Sequence, residues 1–246
     1  MTNTRRPDRV FIGSAVLVFA ASTAVTIAWC SSMSAMPGME MPGGWTMSMA
    51  WMRMPGQSWL GAAATFLGMW AVMMIAMMLP VLAPRLVRLN SQTALFAAGY
   101  FSAWVLFGAA AYPVGVGLAE AAMRVPALSR AVPFAGGVVL AVAGVLQFTP
   151  WKARLLACCR ESPGCCASPR VGGDAWRLGR KLGRQCVSCC LGPTASLLVM
   201  GVMDLRAMAV VTLAICAERL APAGERVARV IGAVFIAASL FVIQPS

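Results

Sequence analysis

The sequence predicts an all-α protein, a polytopic bundle of about six membrane-spanning helices. Hydrophobic residues make up 60% of the 246-residue chain and charged residues only 11%, which excludes an ordinary soluble domain. Several apolar runs are also long enough to cross a bilayer, since ~20 residues span its core as a helix. These runs lack the alternating pattern of a membrane β-barrel, so helices must satisfy the backbone hydrogen bonds in lipid.

The predicted spans define two loops of the single membrane domain that we expect over residues 1–246. An outer loop covers 33–58, and an inner, basic loop covers 151–187. Lysine and arginine concentrate before the first span and in the inner loop, so the positive-inside rule predicts cytoplasmic N- and C-termini. The predicted spans are 10–29, 59–82, 92–118, 132–149, 194–217 and 229–243.

The net charge of +12 is mostly a signal of membrane topology. A nucleic-acid-binding protein would need a basic soluble domain, and the inner loop is too short and cysteine-rich to form one, so no nucleic-acid partner is expected.

Seven of the nine cysteines lie between Cys158 and Cys190 on the cytoplasmic side, where thiols stay reduced, so a disulfide framework is not expected. The arginines Arg219, Arg226 and Arg229 fall on the outer side in this arrangement.

The outer loop is rich in methionine. Eight methionines lie between residues 33 and 54, in a stretch that has neither leucine nor valine. Thioether sulfur is a soft, neutral ligand that suits Cu(I) or Ag(I), and it does not form disulfides in an oxidising compartment. The alternative is that methionine fills gaps in an apolar loop beside tryptophans at the membrane surface. The candidate ligands here are Met39, Met41, Met47 and Met49.

The second predicted span carries five methionines in ten residues. Met69, Met73 and Met77 recur every four residues, and Met74 and Met78 form a parallel pair. Side chains at this spacing stack on one helix face about 6 Å apart along the axis. We expect a soft-metal path along this face, which a second copy of the chain would extend into a methionine ring. Ordinary core or lipid-facing packing is the alternative.

The inner loop contains a cluster of thiols. Adjacent cysteines chelate a tetrahedral zinc ion poorly, but they suit Cu(I) or Hg(II), which need only two or three thiolates. Eight basic residues between 152 and 184 favour the metal-binding thiolate. Cysteine as a small packing residue is the alternative, and we expect it for Cys30 and Cys216. The loop has cysteines at 158, 159, 165, 166, 186, 189 and 190, of which Cys159, Cys186, Cys189 and Cys190 are the candidate ligands.

Met203 and Asp204 lie in the fifth predicted span and are further candidate ligands. A carboxylate inside a membrane is costly and marks a functional candidate, with Arg206 as its expected partner. A structural ion pair near a helix break is the alternative. Glu218 and Arg219, near the end of the same span, are interpreted as a topological boundary on the outer side.

Several short motifs follow one another in order: Met69 to Pro84 with AMMLP, Lys152 to Arg160, Gly183-x2-Cys186-x2-Cys189-Cys190, Gly201 to Leu205, and Glu218 to Pro222. Over roughly residues 60–245 this order resembles the bacterial family of predicted metal-binding integral membrane proteins, a domain of unknown function. The resemblance implies a membrane-embedded metal site in a bacterial inner membrane but no established reaction. The chain departs from the family pattern at Leu155, Ser188, Leu191 and Asp204, where cysteine, glycine, tryptophan and asparagine are usual.

The sulfur ligands predict an integral membrane protein that binds a soft metal ion, best matched by Cu(I), and transports or transfers it from outer methionines to inner thiols. No nucleotide-binding loop occurs, and no thioredoxin-like unit surrounds Cys186 and Cys189, so we do not expect an enzyme. Two alternatives stay open: an accessory or assembly subunit of a membrane metalloprotein complex, and a mercury-type carrier. The expected partners are the lipid bilayer, the metal ion, a copper chaperone or metalloprotein, and a second copy of the chain.

Overall fold

The computed structural model describes residues 5–35, 38–53, 56–87, 92–160 and 172–243. These residues are predominantly helical, which confirms the all-α class. The helices are α1 (Arg5–Ser34), α2 (Trp59–Leu86), α3 (Thr93–Arg124), α4 (Pro126–Leu146), α5 (Pro150–Arg160), α6 (Gly172–Met200), α7 (Leu205–Leu220) and α8 (Gly224–Ile243).

Four helices are long and apolar enough to cross a membrane, counted over the described parts of the chain. They are α2, α3, α4 and the Ile12–Ser34 part of α1, and they contain most of the first four predicted spans. This agrees with a membrane protein. The other two predicted spans fall on α6 to α8, and α8 begins with the charged residues Glu225 and Arg226.

The predicted span at 194–217 is not one helix, and this prediction was wrong. α6 ends at Met200, and Gly201 then adopts a φ of +127°, a left-handed conformation that glycine enters without steric cost. The exposed Asp204 caps the next helix, because its carboxylate accepts hydrogen bonds from the backbone N–H groups of Arg206 (2.7 Å) and Ala207 (3.2 Å). Helix capping, rather than an intramembrane ion pair, therefore explains this carboxylate.

The break also reverses the direction of the chain. α7 runs back to the end of the bundle that holds α5, where the Arg160 guanidinium donates hydrogen bonds to the carbonyl oxygens of Glu218 and Pro222, both at 2.9 Å. Glu218 and Arg219 thus lie at the same end as the thiol-bearing α5. The expected outer position of these two residues is therefore wrong.

The two ends of the described chain consequently lie on opposite sides of the bundle. α1 ends beside the helix break, since Met33 and Asp204 line one cavity, so Arg5 at its start lies at the α5 end. α8 starts at the α5 end, and its 20 residues carry Ile243 to the other end. The expected placement of both termini on one side is corrected accordingly. Arg219, Arg226 and Arg229 therefore lie at the α5 end of the bundle, together with most of the other basic residues. This placement increases the difference in positive charge between the two ends of the bundle.

The predicted inner loop at 151–187 is largely helical. Residues up to Arg160 belong to α5 and residues from Gly172 belong to α6, while Cys165 and Cys166 lie outside the described residues. Buried positions on α6 recur at helical spacing, so its basic side chains face outward and its thiols inward. Up to Cys190, the buried residues of α6 are Ala175, Gly179, Leu182, Gly183, Cys186, Cys189 and Cys190.

The outer methionine-rich segment forms a small antiparallel hairpin, β1 (Met39–Met41) and β2 (Trp45–Met47), followed by a 3₁₀ turn at Met49–Trp51. Two hydrogen bonds attach the hairpin to the start of α4. The Trp45 indole N–H donates to the Ser129 carbonyl at 2.9 Å, and the Ser129 hydroxyl donates to the Pro42 carbonyl at 2.7 Å. The segment is therefore seated on the outer end of the bundle.

α3 and α6 approach each other so closely that only glycine fits at two positions of their contact, Gly179 and Gly183. A Cβ atom added at Gly183 would lie 2.5 Å from the carbonyl oxygen of Tyr100, and one at Gly179 would lie still closer to that of Phe96. Small residues permit such contacts between membrane helices. The close approach brings Tyr100 to the face of α6 that carries Cys186.

Replacing Gly183 with alanine should destabilise the protein, because the added methyl group separates α3 from α6; overpacking of this kind costs roughly 1–3 kcal/mol. The measurement is thermal unfolding of the detergent-purified chain. Gly117→Ala on α3 is the matched control, since a Cβ there meets nothing within 4 Å. Equal melting temperatures for the two variants would contradict the close-packing argument.

Candidate metal centre

Four cysteines meet in the interior of the bundle. Cys159 comes from α5, whereas Cys186, Cys189 and Cys190 come from the buried stripe of α6. All four are free thiols and none is more than 4% exposed. The structure therefore brings together the four cysteines that the sequence singled out as candidate ligands.

Two thiols and one thioether form a close sulfur group. Cys186 and Cys190 are about one turn apart on α6, and their Sγ atoms are 3.9 Å apart. The Sδ atom of Met78 on α2 lies 4.0 Å from Cys186 Sγ. Two sulfurs that share an ion through metal–sulfur bonds of ~2.3 Å are at most ~4.6 Å apart. Both separations are therefore compatible with one shared ion.

The donor set suits a soft ion of low coordination number. In the described ranges, histidine, cysteine and carboxylate side chains form no group of three or more that could hold a metal ion. The arrangement thus differs from a closed tetrahedral zinc site, which uses four such ligands. Two thiolates with a neighbouring thioether fit Cu(I) by softness and by number.

The Cys186 sulfur receives two polar contacts besides its sulfur neighbours. The Tyr100 hydroxyl donates a hydrogen bond to it at 2.9 Å, and the Arg219 guanidinium donates another through Nη1 at 2.8 Å. Donors around a sulfur orient it and stabilise negative charge on it. Cys186 is therefore the thiol best placed to act as an anionic ligand.

A buried ion pair lies beside the thiols. The Lys152 ammonium contacts the Glu218 carboxylate at 2.7 Å and also donates to the Cys189 carbonyl at 2.7 Å. The Gln147 amide donates to the other Glu218 oxygen at 2.6 Å. Burial would lower the pKa of Lys152, but the charges of Cys189 and Glu218 outweigh burial and raise that pKa. The ammonium therefore stays charged at neutral pH.

Cys159 differs from the α6 thiols in its environment. A hydrogen bond to Cys189, together with burial, raises the pKa of Cys159, so this thiol keeps its proton and acts as a donor to its neighbour. The Arg85 guanidinium binds the Cys159 carbonyl oxygen and fixes this turn of α5 against α2. Cys159 thus supports Cys189.

The five methionines of α2 all face the interior of the bundle and not the lipid. They belong to the hydrophobic core that also contains the four thiols. Met73, Met74 and Met78 are almost completely buried. Their positions agree with a path along the helix and equally with core packing, so burial alone does not separate these interpretations. The set is Met69, Met73, Met74, Met77 and Met78.

At the outer end, methionines from three parts of the chain line two neighbouring cavities. Met33, Met49 and Met203 border both a cavity of about 440 Å³, which Asp204 also lines, and one of about 100 Å³. The smaller cavity reaches Met69, the first methionine of α2. The structure thus brings Met49, Met203 and Met69 together.

The hairpin methionines differ from one another. Met39 is exposed, whereas Met41 and Met47 pack in a small apolar cluster with Ala119 and Ala122 of α3. Met47 also lines the larger cavity. Packing accounts for Met41, so the hairpin does not gather all four of its candidate ligands at one point.

Sequence reasoning missed a second sulfur pair and the polar groups of the site. The buried Cys30 thiol lies 3.9 Å from the Met208 thioether, although the sequence suggested only a packing role for Cys30. Tyr100 and Arg219 were also not identified as neighbours of the thiols. These contacts join distant helices, so no local spacing in the sequence could reveal them.

Removing one partner of the buried ion pair should be far more damaging than removing both. Lys152→Met leaves the Glu218 carboxylate unpaired, and we expect a loss of roughly 3–5 kcal/mol in the free energy of unfolding, most of which the double variant Lys152→Met/Glu218→Leu should recover. Denaturant unfolding in detergent provides the measurement. Arg124→Met, in the exposed Glu120–Arg124 pair, is the control and should change stability little. Additive losses in the double variant would contradict this prediction.

Comparison with known proteins agrees with a copper-related role for the protein. The family model described as PpoB2, copper chaperone, matches residues 67–242. The match includes the α2 methionines and the four clustered thiols, together with the ion pair beside them. No curated protein and no solved structure matches the chain. Because the matched region covers well over half of the sequence, the protein belongs to the PpoB2 copper chaperone family.

Proposed function

We propose that the protein is a membrane-embedded carrier that takes up Cu(I) at its outer, methionine-rich end and hands it over from its inner thiols. The observation that carries this proposal is the contact between Met78 and Cys186, whose sulfur atoms are 4.0 Å apart. This contact joins the methionines of α2 to the thiols of α6. An ion could therefore exchange one sulfur ligand for the next without leaving a sulfur environment.

The outer cavities are the proposed collection site. Met33, Met49 and Met203 are shared by both cavities, and thioethers bind Cu(I) while discriminating against hard ions such as Mg²⁺ and Ca²⁺. Met69 continues the path into α2. The exposed Met39 would contact the ion first.

The column on α2 is the proposed path through the membrane. Methionines at i and i+4 lie about 6 Å apart along a helix, and Met69, Met73 and Met77 repeat at this spacing. Each is buried, so an ion on this face would be shielded from lipid. A second copy of the chain is not needed for this path.

The thiols are the proposed receiving site. Thiolates bind a soft cation more strongly than neutral thioethers do, so the ligands favour movement from Met78 toward Cys186 and Cys190. A cavity of about 230 Å³ at the inner end, lined in part by Lys152 and Arg229, supports exchange with a partner there. The partner would be a soluble copper chaperone or a metalloprotein, and no chemical reaction is required of the protein itself.

The proposed orientation places the N-terminus in the cytoplasm of a bacterial cell, with the chain crossing the inner membrane several times. α5 and the starts of α6 and α8 then lie on the cytoplasmic side with most of the basic residues. The thiols would face a reducing compartment, whereas the thioethers would face an oxidising one. Each type of ligand would be on the side where it stays chemically intact.

Loss of the two close thiols should abolish copper binding at the inner site. The variant Cys186→Ser/Cys190→Ser should lose about one equivalent of tightly bound Cu(I) or Ag(I), because neutral hydroxyls do not replace thiolates for soft ions. The measurement is metal content after removal of weakly held metal by a chelator. Cys158→Ser is the matched control, since that thiol is exposed. Unchanged stoichiometry in the double variant would reject the thiol site, and tighter binding of Hg(II) than of Cu(I) would favour the mercury carrier.

Removing the bridging thioether should slow transfer without removing the thiol site. Met78→Leu conserves volume, so the fold should tolerate it at a cost below about 1.5 kcal/mol. In oriented proteoliposomes, external Ag(I) should protect the inner thiols from a maleimide more slowly in this variant than in the wild type. Met123→Leu, at an exposed position of α3, is the control. Equal protection rates for all three proteins would remove Met78 from the path.

A further inference from the structure

The first half of α6 carries basic side chains for which the proposed function has no use. They recur at spacings of three and four residues, so they are neighbours on one face of the helix, and all of them are exposed. This group, called the basic stripe below, consists of Arg177, Arg180, Lys181 and Arg184. The one acidic residue in the first turn of α6 is Asp174.

The basic stripe has no acidic partner within the described parts of the chain. The ion pairs found there join Arg124 to Glu120 and Lys152 to Glu218, and none involves the stripe. Like charges three and four residues apart on a helix repel one another and destabilise it. An anion supplied from outside the chain would relieve this repulsion.

The packing of α6 against α3 gives the depth of the stripe in the bundle. Gly179 and Gly183 lie among the stripe residues in sequence, and they contact the backbone of Phe96 and Tyr100. These two residues belong to the first two turns of α3, which begins at Thr93 and is long and apolar enough to cross a membrane. The basic stripe is therefore level with the inner end of a membrane-length helix.

The face that carries the stripe continues as an apolar surface. Leu191 follows Arg184 by seven residues, or about two helical turns, so it lies on the same face, and it is 38% exposed. Val199, about two turns further along, is also exposed. A change from basic to apolar side chains along one exposed face marks the boundary between lipid headgroups and hydrocarbon. The neighbours of the stripe are then lipids, and a soluble acidic protein would have to displace them.

We propose that the basic stripe is a binding site for the phosphate groups of anionic phospholipids in the inner leaflet. The proposal rests on the membrane orientation given under the proposed function. Guanidinium groups bind phosphate through two parallel hydrogen bonds, and basic clusters at the cytoplasmic end of a membrane helix attract anionic lipids. Because Cys186 follows Arg184 by two residues, lipid bound here anchors the helix that carries the thiols.

The test measures the lipid preference of the full-length chain in detergent. Phosphatidylglycerol and phosphatidylcholine with identical acyl chains are added together, and the lipids that the protein retains are counted by native mass spectrometry. The wild type should retain phosphatidylglycerol preferentially. Arg177→Gln/Arg184→Gln should lower this preference roughly fivefold for each charge removed, whereas Arg177→Lys/Arg184→Lys keeps both charges and should keep most of the preference.

The matched control is Arg124→Gln/Arg130→Gln, which removes two exposed charges at the outer end and should leave the lipid preference unchanged. Equal retention of the two lipids by the wild type would overturn the proposal, and it is the result expected if the stripe served an acidic soluble protein. An equal loss in the inner and outer glutamine variants would also overturn it, because the attraction would then depend on net charge alone. Cu(I) content is measured on the same wild-type preparation, and its absence would reject the proposed carrier while leaving the lipid preference intact.

Discussion

Three charged side chains are buried beneath the thiols, and the bundle accommodates them only because each has a counterpart. Lys152 and Glu218 neutralise each other across α5 and α7, and Arg219 points its guanidinium at Cys186. Unpaired charges inside an apolar bundle would cost far more than any single packing contact provides. This requirement fixes α5 and α7 against α6. The glycines at the α3–α6 contact let these two helices approach closely, which brings Tyr100 to the same sulfur atom of Cys186. The arrangement of the candidate metal site is thus a consequence of how charge is balanced in the core.

The distribution of sulfur atoms gives the proposed function its direction. Thioethers line the cavities at one end, occupy the interior face of α2 and come within 4.0 Å of a thiol at Met78. The candidate ligands therefore change from neutral to anionic along the bundle, and under the proposed function a soft cation would be held more tightly as it proceeds. Membership of a copper chaperone family agrees with hand-over as the final step. The sulfur atoms of Cys30 and Met208 lie 3.9 Å apart, so close sulfur contacts extend to α1 and α7.

Much of the fold and of the candidate ligand set follows from the sequence, because hydropathy and sulfur content are local properties. The long apolar helices, the α2 methionines and the four clustered cysteines were all predicted from such patterns. The break at Gly201 was not, because an apolar run continues on both sides of a residue whose left-handed φ depends on the fold. Missing this break put the two chain ends on the same side of the membrane and Arg219 on the wrong side. The polar contacts of Cys186 depend on helix packing, which no spacing along the chain encodes.

Two thiolates and a thioether of the bundle interior are proposed to bind one Cu(I) ion. X-ray absorption at the copper edge of the loaded, full-length protein tests this claim most directly. The account predicts a Cu(I) edge with two or three sulfur neighbours and no nitrogen or oxygen in the first coordination shell. A four-coordinate signal, or a shell dominated by oxygen, would contradict the account.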